Sequence, residues 1–363
     1  MTIFSNRIFV RFMSLIAIVI LIGIPAFGNP IARPGINTVV SGLHSPRGLS
    51  FGPGNQLYVS EAGDATHAGS IIAIRNSMSN HPASRTIIDG LATIGDEGEF
   101  IGIDGISVLG RGANAGIIAI FGLSPQATMG NNAFGALVNI GLDGTSHTLA
   151  NVGHFDYIWT GDHSFLWQEF PDSNPYGVLA LPDHIYVADA GANTLDDVLA
   201  DGTVRVLAYF PNEIIRDAIP TCVTQGPDGA LYIGTLALVD SIQLGPSAKV
   251  YRVDPTQANL MDPTATPMTV WASGLSPING CTFGGDGNFY ASQLFTHNFG
   301  DPQGDVVKIP FSSPTTHTSL TGGALSFAGG VAVAPNGDVF VADGTAFVPD
   351  GRIVRISHNT IAD

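Results

Sequence analysis

Six positions that recur at long intervals carry groups able to recognise a small polar molecule. They read Arg47, Asp104, Tyr176, Thr221, Asn279 and Gly329. A guanidinium, a carboxylate, a phenol, a hydroxyl and an amide at one repeated position suit a ligand site better than a purely structural repeat. The plainer alternative is that they solvate a water-filled channel. A second set reads Glu61, Phe121, Asp189, Thr235, Gln293 and Asp343. Glu61, Asp189 and Asp343 could together hold Ca²⁺, which takes oxygen ligands. Against this, an acid at a strand end, before a glycine, commonly accepts backbone N–H groups of the following turn, and Asp189-Ala190-Gly191-Ala192-Asn193 has that form.

A third concentration lies in residues 153–174. Phe155, Tyr157, Trp159, Phe165, Trp167 and Phe170 are interleaved there with His154, Asp156, Asp162, His163 and Glu169. Aromatics among polar groups can stack on a flat or sugar-like ligand, or can pack the segment onto its own domain or another subunit. His154 with His163 is the one histidine pair that suggests a metal, and the other histidines are scattered. The stretch Asp96-Glu97-Gly98-Glu99 reads as a solvated loop. The chain has no Gly-x-Ser-x-Gly elbow, no phosphate loop and no Cys-x-x-Cys.

The frame that must position these groups is itself a repeat. Pro46-Arg47-Gly48-Leu49-Ser50-Phe51-Gly52-Pro53, a turn, and Leu57-Tyr58-Val59-Ser60-Glu61-Ala62-Gly63 form a phrase that returns four times. Its aromatic anchors are Tyr58, Tyr186, Tyr232, Tyr290 and Phe340. The first gap is about twice the others, and residues 105–108 with 117–120 supply the disguised unit, Ile118 replacing the aromatic. Six units over residues 29–363 average about 56 residues, long for a four-stranded propeller blade, so long loops are expected. Runs such as Ile185-Tyr186-Val187 and Val339-Phe340-Val341 are continuously apolar, as strands packed on both faces require. Turns such as Pro227-Asp228-Gly229 and Pro335-Asn336-Gly337 permit tight hairpins. Forty-five glycines and 12% charged residues agree, and helical signals are nearly absent. The last unit lacks one strand. Residues 37–43 match the fourth strand at 269–275, so an N-terminal strand completes the last blade. The sequence predicts one all-β domain, a six-bladed β-propeller without open edges.

Residues 1–28 read as a signal peptide: Arg7 and Arg11, an apolar run, then Ala26-Phe27-Gly28 as cleavage site. An uncleaved anchor is the alternative, and would be the only membrane contact. Either places the domain outside the cytoplasm, secreted or periplasmic. Beyond residue 28 the chain carries 30 acidic residues against 12 basic ones, 14 less Arg7 and Arg11. Such a surface repels phosphate backbones, which excludes nucleic acid. Cys222 and Cys281 fall one position apart in the repeat. Neighbouring side chains of a strand point to opposite faces, so two buried thiols are expected, with a disulfide as the alternative the compartment permits. Most long connections fall at one end of the ring, which is therefore the expected functional end.

Ser45-Pro46-Arg47-Gly48-Leu49 with Leu57 to Gly63 resembles the first blade of the ScyD/ScyE family, exported propeller-like proteins named for the gene cluster of the sunscreen pigment scytonemin. Asp172-Ser173-Asn174-Pro175-Tyr176-Gly177 with Val187 to Asn193 is the closest match, and residues 226–234 and 249–253 also fit. The resemblance spans about residues 39–356. It implies a six-bladed extracytoplasmic propeller with no assigned catalytic residues, and it does not imply scytonemin chemistry. Thr235 departs from it where an acid would be expected.

These observations favour a non-catalytic or accessory protein that binds a small molecule, glycan or protein partner at the loop-rich end. Arg47, Asp104, Tyr176 and Asn279 would contact the ligand, with Trp159 and Trp167 covering it. An enzyme is the alternative: six-bladed gluconolactonases and streptogramin lyases are similar in outline, and metal-assisted chemistry here would draw on Asp104, Asn279, Glu61 and Asp189. A surface scaffold is the third.

Overall fold

A computed structural model describes residues 35–96, 98–110, 112, 115–298, 300 and 303–358. The signal-peptide assignment lies outside them. Six antiparallel sheets follow one another along the chain. Pro46–Gly52, Gln56–Glu61, Gly69–Arg75 and Ala83–Leu91 make the first blade, and the next four repeat the order innermost to outermost. The sixth combines Val331–Val333, Val339–Asp343 and Gly351–Ile356 with the N-terminal strand Ile36–Leu43. Ile36 stands opposite Ile356 and Thr38 opposite Val354, so the ring closes as the repeat required. The seam is tightened by Thr345 Oγ1 donating to Pro46 O (2.6 Å) and Gly330 N to Arg47 O (2.8 Å).

The core is divided among the interfaces between blades. Tyr58, Ile117 and Ile140 fill the junction of blades 1 and 2, and Tyr232, Phe289 and Trp271 that of blades 4 and 5. Each blade is apolar on both faces because each face meets a neighbour.

The innermost strands carry the feature that makes a site. In five blades the pairing of first and second strand slips at the same place: between Pro46 and Leu49, Ile103 and Gly105, Pro175 and Gly177, Pro220 and Cys222, and Ile278 and Gly280. The residues skipped include Arg47, Asp104, Tyr176, Thr221 and Asn279. A bulge leaves its extra residue unpaired and re-aims its side chain. In four of these blades the position after the bulge is a glycine that approaches the next blade too closely for a Cβ. A Cβ on Gly105 would meet Tyr176 O at 2.4 Å, one on Gly177 would meet Thr221 O at 2.6 Å, and one on Gly330 would meet Arg47 O at 2.4 Å.

Blade 4 has Cys222 at that position, and it forms a disulfide with Cys281 of blade 5, with Cα atoms 5.7 Å apart. This corrects the expectation of two thiols. The one-residue offset was read as though both strands lay in one sheet. Neighbouring blades stack face to face, so a residue facing forward from one meets a residue facing backward from the next, and those two faces differ by one position.

Residues 153–174 are not irregular throughout, as a loop would be. Val152–Asp162 is an α-helix, α1, with the Asn151 side chain accepting from His154 N as N-cap. A second helix, α2, spans Leu238–Leu244. Among the described residues no helix is long and apolar enough to cross a membrane.

Candidate functional site

The bulged residues converge on the propeller axis. Arg47, Asp104, Tyr176, Thr221, Asn279 and Gly330 line one axial cavity of about 220 Å³, together with the residues that follow them. In the sixth blade the lining residue is thus one past Gly329. The disulfide forms part of the same wall.

Arg47 is the hub. Its Nη1 donates to Tyr176 Oη (3.2 Å) and its Nη2 to Phe100 O (2.5 Å). Its Cζ lies 5.9 Å from the Tyr176 ring centroid. Its Nε faces Asp104 Oδ1 at 3.6 Å, too far for a hydrogen bond, and neither atom has a hydrogen-bond partner among the described residues. Burial works against the guanidinium's charge, but Tyr176 and Asp104 more than reverse this, and Arg47 stays charged. Burial pushes the Asp104 carboxyl up to about 7; Arg47 opposes the rise and Glu99 adds to it. Burial likewise raises the Tyr176 phenol, against hydrogen bonds from Arg47 and Asn279. Asn279 also donates to Ala328 O (3.2 Å), and Thr221 Oγ1 donates to Ile278 O (2.6 Å), so both are held between blades.

Sequence reasoning missed the cover of this mouth. Ile94–Asp96 pairs with Glu99–Ile101 in a small hairpin, which brings Phe100 O to Arg47 and the Glu99 charge within reach of Asp104. Asp96 and Glu99 are therefore paired in a hairpin at the site and are not merely part of a solvated loop. The apolar residues Ile94, Phe100 and Ile101 on either side of Gly98 were the available signal. Gly98 O accepts from Phe347 N of the sixth blade (2.6 Å), which ties the hairpin across the seam.

Trp159 and Trp167 do not line the cavity. Trp159 lies on α1, stacked on His163 (ring centroids 4.1 Å apart) and beside Tyr209 at the end of the outermost strand of blade 3. Trp167 packs under Arg216, which pairs with Glu169. The aromatic segment packs against the outer edge of blade 3, where Trp159 of α1 and Phe170 both meet Tyr209. His154 is engaged with Gln126 and His163 with Trp159 O, so they do not form a metal pair.

Glu61, Asp189 and Asp343 end the second strands of three different blades and are used locally. Glu61 accepts from His44 N (2.9 Å) and Ser70 Oγ (2.6 Å). Asp189 accepts from Ser173 Oγ and from the backbone of Asn174, Gly191 and Ala192 at 2.6–2.9 Å. Asp343 accepts from Ser326 N and from Arg352 Nε (2.7 Å). This corrects the shared Ca²⁺ assignment: each acid is occupied within its own part of the ring, and Asp189 caps the turn that follows it. Among the described residues the cavity wall holds one carboxylate, Asp104, and it faces Arg47. That donor set does not fit a divalent ion, which needs several anionic or carbonyl oxygens free of a competing cation.

No protein-family model matches the chain, and no curated protein matches it. Solved structures similar to it include a luciferin-regenerating enzyme (TM-score 0.57, 10% identity, covering 91% of this chain and 95% of that one). A glucose dehydrogenase gives 0.56 at 13% identity, over 89% and 99% of the two chains. The calcium-binding protein regucalcin of Agrobacterium tumefaciens gives 0.53 at 10%, over 92% and 96%. At such identities the likeness establishes the six-bladed propeller fold alone.

Proposed function

We propose that this chain is an exported, ScyD/ScyE-like propeller that binds a small hydroxylated molecule in its axial cavity. One observation carries this: the buried Arg47 Nε and Asp104 Oδ1 sit 3.6 Å apart in the cavity wall, each without a hydrogen-bond partner among the described residues. A buried donor and acceptor left open side by side are costly. A ligand hydroxyl accepts from the first and donates to the second, while Tyr176 and Asn279 contact the rest of the molecule. The Cys222–Cys281 bond supports a location outside the cytoplasm, where disulfides persist.

A second reading is acid–base catalysis at Asp104. A carboxyl that titrates near 7 is matched to proton transfer at neutral pH, and Arg47 would stabilise developing negative charge. The metal-assisted form lacks its ligands, because Glu61 and Asp189 are occupied elsewhere.

Thermal melts and calorimetry with a panel of polyols, sugar acids and lactones test both. A stabilising compound is expected from the panel, with at least tenfold weaker binding to Asp104→Asn and a weakening in Tyr176→Phe. Binding unaffected by both substitutions would refute the cavity assignment. Turnover of the bound compound with a pH break near 7 would select the enzyme.

A further inference from the structure

At the rim of the same end, His44, Asp64 and His67 meet. His44 directly follows the closing strand Ile36–Leu43, whereas Asp64 and His67 belong to the turn between Gln56–Glu61 and Gly69–Arg75 of blade 1. His44 Nδ1 lies 2.7 Å from Asp64 Oδ2, and His67 Nδ1 lies 3.0 Å from Asp64 Oδ1. The two imidazole rings stack with centroids 3.6 Å apart and planes 16° from parallel. One donor atom from each residue lies within 4.8 Å of the other two, an arrangement no other His, Cys, Asp or Glu group among the described residues reaches.

The backbone beneath is fixed. Asp64 Oδ1 accepts from Thr66 N, Thr66 Oγ1 and His67 N at 2.7–2.9 Å, and Asp64 N donates to His67 O (2.9 Å). Gly63 has φ +95°, and a Cβ there would meet His67 O at 2.5 Å, so this turn requires glycine. On the other side, Gly63 N donates to His44 O (3.1 Å) and His44 N to Glu61 Oε1 (2.9 Å). Glu61, expected as a ligand, thus holds the backbone of a better one.

We propose that His44, Asp64 and His67 bind a borderline divalent cation, Zn²⁺ by preference, which staples the closing strand to blade 1. Two imidazoles stacked face to face repel each other if both are protonated. As neutral rings each has a lone pair to offer beside an anionic oxygen. Two nitrogens and one oxygen suit Zn²⁺, with ligands at about 2.0–2.2 Å and solvent in the fourth position. Ca²⁺ would want six or more oxygens. The three side chains are 28–54% exposed, so an ion can enter without unfolding the ring. The strong negative charge of the chain favours cations at its surface. Since His44 and the turn flank the seam between the sixth and first blades, bound metal stabilises closure as well as the loop.

The test uses the untagged full chain, stripped of metal, titrated with Zn²⁺ alone by calorimetry and followed by thermal melting, with Ca²⁺ and Mg²⁺ in parallel. One equivalent of Zn²⁺ is expected to bind and to raise the melting temperature in a saturable way, with no comparable effect of Ca²⁺ or Mg²⁺. His67→Ala, an exposed change that leaves the core untouched, should weaken binding at least tenfold and abolish the shift. Asp104→Asn should leave both intact. No Zn²⁺-dependent shift, or an equal one in His67→Ala, would overturn the proposal.

Discussion

Two buried acidic regions of this propeller share a cause and differ in use. At the axis, Asp104 is 2% exposed, faces Arg47 and borders a cavity. In blade 3, Asp156 on α1 meets Asp189 and Asp196 of the second and third strands, all 0% exposed and none in a salt bridge with any described residue. Burial raises the carboxyls in both places. In blade 3 neighbouring carboxylates add to the rise in Asp156 and Asp196. Asp156 Oδ1 and Asp196 Oδ1 meet no donor, yet the Asp156 side chain lies at hydrogen-bonding range of both Asp189 and Asp196. A proton on Asp156 reconciles these facts. Such a proton would pin α1 to its blade, whereas Asp104, raised to about 7 beside Arg47, exchanges its proton with an open cavity. The difference teaches that burial alone sets the direction of a shift, and a cationic partner beside a cavity turns it into a site.

The sharpest way to break the contrast is to remove the partner. Arg47→Met leaves Asp104 buried without compensation and should cost about 3 kcal/mol of stability at pH 8, read from urea unfolding. Because the folded Asp104 carboxyl titrates near 7, well above its ordinary range, it keeps a proton there that the unfolded chain has lost. Its unfavourable contribution therefore grows as pH rises from about 4 to 7 and is absent below that window. Without Arg47 the carboxyl is raised further, so the part of the loss due to Asp104 opens only above about pH 7, and the Arg47→Met loss should shrink toward pH 5. A loss independent of pH would show that Asp104 is not the uncompensated group.

A smaller effect of opposite sign is expected in blade 3. Asp156→Asn keeps the shape, cannot ionise and can donate to both neighbours. The folded Asp156 carboxyl is raised, so it too destabilises the fold as pH climbs above the ordinary carboxylate range. The variant should match wild type near pH 4 and melt about 2 °C or more above it at pH 8. If the variant is instead less stable at every pH, a proton-sharing role for Asp156 is wrong.

The smallest effect concerns the aromatic flank. Trp159→Ala should leave affinity for any cavity ligand within about twofold, since its partners are His163 and Tyr209. A tenfold loss by calorimetry would bring α1 back to the cavity mouth.

Much of the ring was legible because it is periodic. The repeated phrase located the six inner strands, and the match of residues 37–43 to 269–275 located the closing strand. The column of Arg47, Asp104, Tyr176, Thr221 and Asn279 was legible for the same reason, since one alignment position becomes one height on the axis. The glycines at 48, 105, 177 and 280, with Cys222 in their place, shared that column too, but neither the bulge nor the disulfide was read from them, because both depend on how one blade meets the next. What misled was treating stacked blades as a single flat sheet. The aromatic segment misled for another reason: its interleaved pattern is compatible with both a stacking platform and a helix, and only the Tyr209 side of blade 3 decides between them.

Sequence by itself determined the number of blades, the closure and which residues share a height, because these follow from spacing along one chain. Tertiary structure alone decided which acids are caps, which one faces a guanidinium and which are sealed without a base. Those outcomes depend on distances between blades far apart in sequence, and on burial, which no local pattern encodes.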